Sequence, residues 1–182
     1  MLFQVSRDTT APYLTSVTKD RLPVFRTDQI KTIACNSMDE ARRSAGFLIF
    51  AYVIMPGHLH AITSGTLTIS RTLQFLNGIM SRRIISYLKE GGHTSSLKKL
   101  ERDEGSRGYR HSLWDHHPNG KFLTSEPVLM EKINYIHRNP VRAGLVERAV
   151  DHVWSSARQW RGMPLDKEPL WTDFKAIRWR TR

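Results

Sequence analysis

Cysteine is scarce in this chain, and its scarcity excludes two kinds of covalent or metal stabilisation. Cys35 is the only cysteine among the 182 residues. We therefore expect neither an internal disulfide nor a cysteine-rich zinc site. A chain without disulfides suits a reducing compartment, and the prediction for its location is the prokaryotic cytoplasm.

Long apolar runs are also missing. The ten residues at positions 46–55 form an apolar run, but a membrane helix needs about 20 such residues. The first ten residues, MLFQVSRDTT, lack the charged-then-apolar layout of a secretory leader. The sequence therefore predicts neither a membrane span nor a signal peptide.

Acidic residues are few relative to basic ones. The chain has 17 Asp and Glu against 28 Lys and Arg, which gives a net charge of +11 and a pI near 10.2. This excess favours a polyanionic partner, nucleic acid first and an anionic membrane surface second. The length predicts one domain, at residues 1–160, followed by a basic, aromatic-containing tail at 161–182.

The spacing of apolar residues predicts mixed α and β structure. Alternation with a period of two is typical of strands, and steps of three and four residues are typical of helices. In chain order we predict a strand at residues 12–18, a helix at 26–43 with a possible break at Asn36 and Ser37, and a buried hairpin at 46–64. A helix at 68–90, a mobile surface loop at 91–110 and a second hairpin at 110–124 follow.

The buried hairpin carries two histidines immediately after its turn. A Pro-Gly dipeptide breaks the apolar run, and His58 and His60 follow it with one leucine between them. Successive side chains of a strand point to opposite faces, so the two imidazoles project from the same face. A divalent metal is the simplest use for such a pair. Taken alone, however, an H-x-H pair is more often hydrogen-bonded or solvated than metal-binding.

A third predicted helix begins after Ser125 and carries further candidate residues. Its apolar residues recur at steps of four and three, which predicts one face packed on the sheet. Tyr135 and Asn139 are four residues apart and are therefore neighbours on the helix surface. Pro140 disfavours helical geometry in the residue before it, so the regular helix should end near Asn139.

These candidates also have ordinary structural explanations. Tyr135 by itself is more often a half-buried aromatic of an amphipathic helix. Asn139 is an ordinary helix-end residue before a proline. The pair His116-His117 is a competing metal candidate, which we rate low because adjacent strand residues point apart.

Three segments taken in order resemble a known family. MPGHLHAI, YIHRNPVRAGLV and the short WSS are similar to segments of single-tyrosine HUH transposases of the insertion-sequence-200 type, in particular their REP-associated tyrosine transposase branch. The resemblance spans roughly residues 10–160. One residue departs from it, because relatives commonly carry Asn where this chain has Gly57, and this change should affect the turn rather than the chemistry.

The resemblance implies a fold, a site and a reaction. The fold is an α+β, ferredoxin-like (RRM-like) antiparallel sheet with helices packed on it. His58 and His60 would hold Mg²⁺ or Mn²⁺ with Asn139 as third ligand, and Tyr135 would be the nucleophile. Members of the family cleave single-stranded DNA near hairpins, form a 5′-phosphotyrosine link with a free 3′-OH, and often work as dimers.

The basic residues of the helices supply candidate contacts to DNA. Those on the helix at 68–90 lie off its apolar stripe, where a merely solvated face is the competing explanation. The tail interleaves a tryptophan with cations, a composition that suits contacts to single strands or a poorly ordered tail. The predicted DNA-binding residues are Arg71, Arg82, Arg83, Lys132, Arg138 and Arg142, and the tail residues are Arg178, Trp179, Arg180 and Arg182.

The sequence leaves functions of different classes open. The first is a nucleoid-associated transposase that nicks and joins single-stranded DNA with a tyrosine and a metal. The alternative is a non-catalytic module on the same fold that binds single-stranded DNA or RNA. A structural zinc protein is a third option, which the lack of cysteine ligands disfavours.

Overall fold

A four-stranded antiparallel sheet, with strand order β2-β3-β1-β4, organises the molecule. It is seen in a computed structural model that describes residues 2–6, 8–102, 110–115 and 119–179. The strands are β1 (Ala11–Val17), β2 (Ile49–Met55), β3 (His58–Thr63) and β4 (Asn119–Leu123).

Helices cover both faces of this sheet. Among the described residues, no helix is both long and apolar enough to cross a membrane. The order β1-α1-β2-β3-α2-β4 is the ferredoxin-like arrangement, so the predicted fold class is confirmed. The helices are α1 (Asp28–Ala45), α2 (Ile69–Glu90), α3 (Thr94–Lys99), α4 (Glu126–His137), α5 (Asn139–Arg142) and α6 (Ala157–Trp160), with short 3₁₀ turns between some of them.

The two faces of the sheet bury separate apolar clusters. Leu14 and Leu59 face α1 and α2, whereas Val53 and Ile62 face α4. Because strand side chains alternate, every second residue of β3 points towards α4, and this series includes His58, His60 and Ile62. The face shared by β3 and α4 is therefore the one that carries the two histidines.

The turn between β2 and β3 is held by the segment that follows β1. The Thr18 hydroxyl donates to the carbonyl of Gly57 at 2.8 Å, and the amide of Phe25 donates to the carbonyl of Pro56 at 2.9 Å. A Cβ atom on Gly57 would lie only 2.8 Å from the carbonyl oxygen of Arg21. This close approach explains why a residue without a Cβ atom suits position 57.

Helix α1 is continuous, although a break at Asn36 and Ser37 was predicted. The Ser37 hydroxyl donates to the carbonyl of Ile33 at 2.7 Å. This local bond satisfies the buried hydroxyl inside the helix, so the polar residue does not interrupt it. The predicted helix at 68–90 is confirmed as α2, with the Thr68 side chain accepting from the amide of Arg71.

The region at 91–124 differs from its prediction. Part of the expected loop forms α3, and residues 119–123 pair with β1. Trp114 bridges to Thr18, the residue after β1, and Glu101 forms an antiparallel bridge with His111, so the described residues at 110–115 pair on both of these sides. Pro118 of the predicted turn, the pair His116-His117, and Arg180 and Arg182 of the tail lie outside the described residues.

The described part of the C-terminal tail lies against the domain. Ile177 is buried and bridges Phe3, and Leu170 is buried in the cluster under α1 and α2. Glu168 forms a buried ion pair with Arg158 of α6 at 3.2 Å. These contacts hold the segment along the open edge of β2, where the Asp173 carboxylate accepts from the amide of Ile49.

Candidate active site

Strand β3 places His58 and His60 side by side. Their ring centroids are 5.0 Å apart, with the ring planes at 72°. His60 is 6% exposed and His58 is partly exposed at the strand's start. The pair therefore opens to solvent on the His58 side and is enclosed on the His60 side.

Helix α4 brings Tyr135 to the same place. The apolar stripe of the helix (Leu129, Ile133 and Ile136) is buried against the sheet, as the spacing predicted. Tyr135 lies beside this stripe, is 37% exposed, and has its ring centroid 6.1 Å from that of His60. The helix starts after Ser125, whose side chain makes no capping hydrogen bond.

Asn139 lies one helical turn beyond Tyr135. Helix α4 ends at His137, and Pro140 occupies the first turn of α5. The regular helix therefore ends near Asn139, as the position of Pro140 indicated. The side-chain nitrogen of Asn139 donates to the carbonyl of Tyr135 at 3.2 Å. This bond ties the amide to the end of the tyrosine helix, and the amide oxygen is the atom that could serve as a ligand.

Two cations lie over the Tyr135 ring. The Lys132 ammonium is 5.3 Å and the Arg142 guanidinium carbon is 5.0 Å from the ring centroid. Lys132 is also 3.2 Å from the exposed carboxylate of Glu131. Positive charge at this position suits a phosphate group near the phenol oxygen.

Two hydroxyls orient His60, and sequence reasoning missed both of them. The Tyr13 hydroxyl and the Thr15 hydroxyl each lie 2.9 Å from His60 Nδ1. When Nδ1 carries the ring proton it donates to one of these oxygens, and Nε2 then has its lone pair free for a metal. Tyr13 also stacks on His60, with ring centroids 5.4 Å apart.

The histidines are neutral near neutral pH. Burial is the main cause that lowers the pKa of His60 to about 4, and the nearby His58 lowers it further. Burial also lowers the pKa of His58, and the positive charge of Arg21 adds to that effect. Both groups therefore offer lone pairs rather than protons, which is the state that a metal ligand requires.

His137 is a structural residue of the site rather than a part of its surface. It is 7% exposed, and its Nε2 lies 2.8 Å from the hydroxyl of Ser156. Ser156 also accepts a hydrogen bond from the amide of Tyr52 on β2 at 3.0 Å. The serine, the last residue of the WSS segment, thus connects the helix of Tyr135 to the sheet.

The predicted DNA-binding cations fall into two groups. Lys132, Arg138 and Arg142 lie on α4 and α5 or between them, on the Tyr135 side of the sheet. The arginines of α2 lie on the opposite face of the sheet, because α2 packs with α1 on that face. In that second group Arg71 donates to Gln74, Arg83 pairs with Glu40 of α1, and Arg82 is exposed.

The structure thus brings together His58, His60 and Tyr135, with Asn139 on the adjoining turn. Among the described residues there is no cluster of three His, Cys, Asp or Glu side chains. A metal here would take two imidazoles and an amide oxygen from the protein and its remaining ligands from phosphate or water. That mixed donor set fits a divalent cation which accepts nitrogen and oxygen together.

The fold is shared with a solved transposase. The structure of a REP-associated tyrosine transposase bound to a REP hairpin is similar over 98% of this chain and 96% of that one, with a TM-score of 0.60 and 18% identity. A candidate transposase from Deinococcus radiodurans is similar over 71% of this chain and 90% of that one, with a TM-score of 0.49 and 19% identity. No protein-family model and no curated protein matches the chain. The chain therefore has the fold that the sequence resemblance implied.

Proposed function

We propose that this protein is a transposase that nicks and joins single-stranded DNA beside a hairpin, with Tyr135 as the nucleophile and a divalent metal as cofactor. The observation that carries the proposal is the convergence of Tyr135 and His60, whose rings lie 6.1 Å apart although they come from different elements. The hairpin as substrate is supported by the solved protein of the same fold, which was bound to a REP hairpin.

The reaction requires an aligned nucleophile and stabilised charge on the phosphate. The oxygen of the Tyr135 phenolate attacks the scissile phosphorus, the bond to the 3′ oxygen breaks, and that oxygen takes a proton from water. The products are a 5′-phosphotyrosine and a free 3′-OH. Because the phosphodiester bond is exchanged and not hydrolysed, a 3′-OH can later reverse the step and join strands.

Residues around the tyrosine supply positioning and charge. Helix α4 holds the phenol at the sheet surface, and Arg142 and Lys132 place positive charge beside the ring. A metal held by His58, His60 and Asn139, Mn²⁺ or Mg²⁺, would supply Lewis-acid polarisation of the scissile phosphate. Tyr13 and Thr15 keep the His60 ring in the orientation that such binding needs.

The test is a covalent-adduct assay on a labelled single-stranded hairpin oligonucleotide. Wild type, Tyr135→Phe and His58→Ala are incubated with Mn²⁺ or with EDTA and analysed on a denaturing gel. We expect a protease-sensitive adduct for wild type with Mn²⁺ alone. Tyr87→Phe, which changes a tyrosine on α2, is the matched control and should keep full adduct formation.

Two results would contradict the proposal. Tight binding by every variant, with no adduct or cleavage under any condition, would identify a non-catalytic binding module. An adduct that persists in Tyr135→Phe would assign the nucleophile to another residue. Unfolding of the protein by EDTA would instead indicate a structural metal.

A further inference from the structure

An open cavity of about 520 Å³ lies beside the turn that precedes His58. Its floor is formed by Phe25 and Ile54, which are fully buried, and Pro56 of the turn contributes to its wall. Cavities of this size, with apolar walls and a few polar groups, are typical of small-molecule sites. The proposed phosphodiester chemistry does not use this cavity.

The outer wall of the cavity is apolar and accessible. Trp154 is partly exposed, and its neighbours Leu145 and Val153 are 46% and 39% exposed. The backbone of Trp154 is fixed to the sheet, because its carbonyl accepts from the amide of Ile54 at 2.9 Å. An indole on a fixed backbone, beside exposed apolar side chains, offers a stacking surface for a nucleobase.

The rim of the cavity is positively charged. The ammonium of Lys31 lies 5.3 Å from the Trp154 ring centroid and is also 3.1 Å from Asp28. Arg26 is exposed, and among the described residues no carboxylate lies within ion-pair distance of it. The one acidic residue of the rim, Asp151, accepts hydrogen bonds from Nε and Nη2 of Arg148, at 3.0 and 2.7 Å. The rim therefore attracts phosphate.

The cavity adjoins the candidate active site through α5. This single turn begins at Asn139, and the chain then folds back so that the amide of Leu145 donates to the carbonyl of Pro140 at 2.9 Å. Asn139 thus belongs to the active-site end of the segment and Leu145 to the cavity. The Pro56-Gly57 turn makes a second connection, since His58 follows it directly. The floor residues Phe25 and Ile54 belong to the cluster under α1 and α2, so a strand held at Tyr135 would reach the cavity by passing α5 or this turn.

We propose that this cavity binds one unpaired nucleobase of the DNA strand held at the active site, stacked on Trp154 with its phosphate at Arg26. The inference rests on the proposed function and adds a base-binding position to it. It gives the protein a contact to the single-stranded flank of a hairpin that is separate from the metal and the nucleophile.

The test measures DNA binding by proteins that cannot cleave. Fluorescence anisotropy gives Kd for Tyr135→Phe and for Tyr135→Phe/Trp154→Leu, in EDTA, on a hairpin whose unpaired flank carries one abasic site at successive positions. We expect one position at which the abasic site weakens binding by Tyr135→Phe by about 5- to 150-fold, the usual effect of losing a stacked base. In the double variant that penalty should disappear.

Further variants separate stacking from folding. Trp154→Phe keeps an aromatic ring and should retain most of the penalty, and Arg26→Gln should weaken binding at all flank positions alike. Trp171→Leu, which removes a 49% exposed tryptophan elsewhere, is the matched control and should leave the abasic pattern unchanged.

The outcomes distinguish this inference from the proposed function. If wild type forms the adduct but Trp154→Leu leaves the abasic pattern unchanged, the cavity is not a base site and the nuclease proposal stands. Light scattering tests a different occupant. If the only effect of Trp154→Leu is that a dimer becomes a monomer, a second copy of the chain covers the cavity and the inference is wrong. If wild type neither binds nor cleaves the hairpin, both proposals fall.

Discussion

At the scale of single residues, His60 is the most constrained side chain of the candidate site. It is nearly buried, its Nδ1 lies within hydrogen-bond distance of two hydroxyls, and its ring lies against those of Tyr13, His58 and Tyr135. When Nδ1 carries the ring proton, Nε2 is the nitrogen with a lone pair to offer.

Removing the two hydroxyls that lie beside His60 Nδ1, those of Tyr13 and Thr15, should weaken metal binding. The double variant Tyr13→Phe/Thr15→Val leaves Nδ1 without its partners, so the ring loses its fixed orientation. We expect Mn²⁺ affinity to fall by about 10- to 100-fold, the usual effect of losing the groups that orient a ligand. Isothermal titration calorimetry measures this, with Thr32→Val on α1 as the control. An unchanged affinity would mean that His60 does not bind the metal.

Arg142 should act on the rate of the chemical step. Its guanidinium carbon lies 5.0 Å from the Tyr135 ring centroid, where it can stabilise charge that develops on the phosphate. We expect Arg142→Ala to lower the single-turnover rate of adduct formation by about 100-fold at saturating DNA. Arg138→Ala, four residues earlier, is the control and should change the rate far less. Equal losses in both variants would argue for general charge attraction.

At the scale of elements, the position of α4 depends on a contact that crosses the sheet. Ser156 joins His137 of α4 to the backbone of Tyr52 on β2. The sequence predicted the buried stripe of α4, since spacing alone reveals an apolar face. It did not predict the partner of His137, because that residue is 19 positions away and lies in a non-repeating segment.

Breaking this contact should destabilise the fold. Ser156→Ala leaves the buried imidazole of His137 and the amide of Tyr52 without a partner. We expect the free energy of unfolding to fall by about 2 kcal/mol, the usual cost of an unsatisfied buried polar group. Urea unfolding followed by circular dichroism measures it, with the exposed Ser70→Ala as control. A change no larger than that of the control would show that water replaces the hydroxyl.

The predicted elements were most accurate where the pattern was local. The apolar spacing at 68–90 predicted α2 closely, and the structure adds the Thr68 side chain as its cap. The second strand of the hairpin predicted at 110–124 is β4, which pairs with β1, and the predicted turn lies partly outside the described residues. The pairing of β4 with a strand so far away in the chain leaves no local signal. The possible break at Asn36 and Ser37 does not occur in α1, because the Ser37 hydroxyl donates to the carbonyl of Ile33 within the helix.

At the scale of the whole molecule, the six predicted DNA-binding cations are divided between the two faces of the sheet. Lys132, Arg138 and Arg142 share a face with Tyr135, whereas Arg71, Arg82 and Arg83 are on the side of α2. The sequence proposed all six as DNA contacts, since composition does not reveal which face a residue occupies. The fold favours the first group for a strand held at Tyr135.

This division predicts the salt dependence of DNA binding. Each phosphate contact on single-stranded DNA contributes about 0.7 to the slope of log K against log salt. We expect Lys132→Gln to lower the slope by about that amount and Arg82→Gln to leave it unchanged. Titrations between 50 and 300 mM salt, monitored by anisotropy, measure the slopes. A lower slope for Arg82→Gln would place DNA on the α2 face as well.

The sequence by itself determined the composition of the candidate site and the local geometry around it. The alternation of β3 puts His58 and His60 on one face, the helical repeat stacks Asn139 on Tyr135, and Pro140 ends the helix, all because these relations span only a few residues. Only the tertiary structure decided which face α4 covers, which hydroxyls reach His60, and that a cavity adjoins α5. Those features join residues far apart in the chain, and they depend on strand order and packing, which local spacing does not encode.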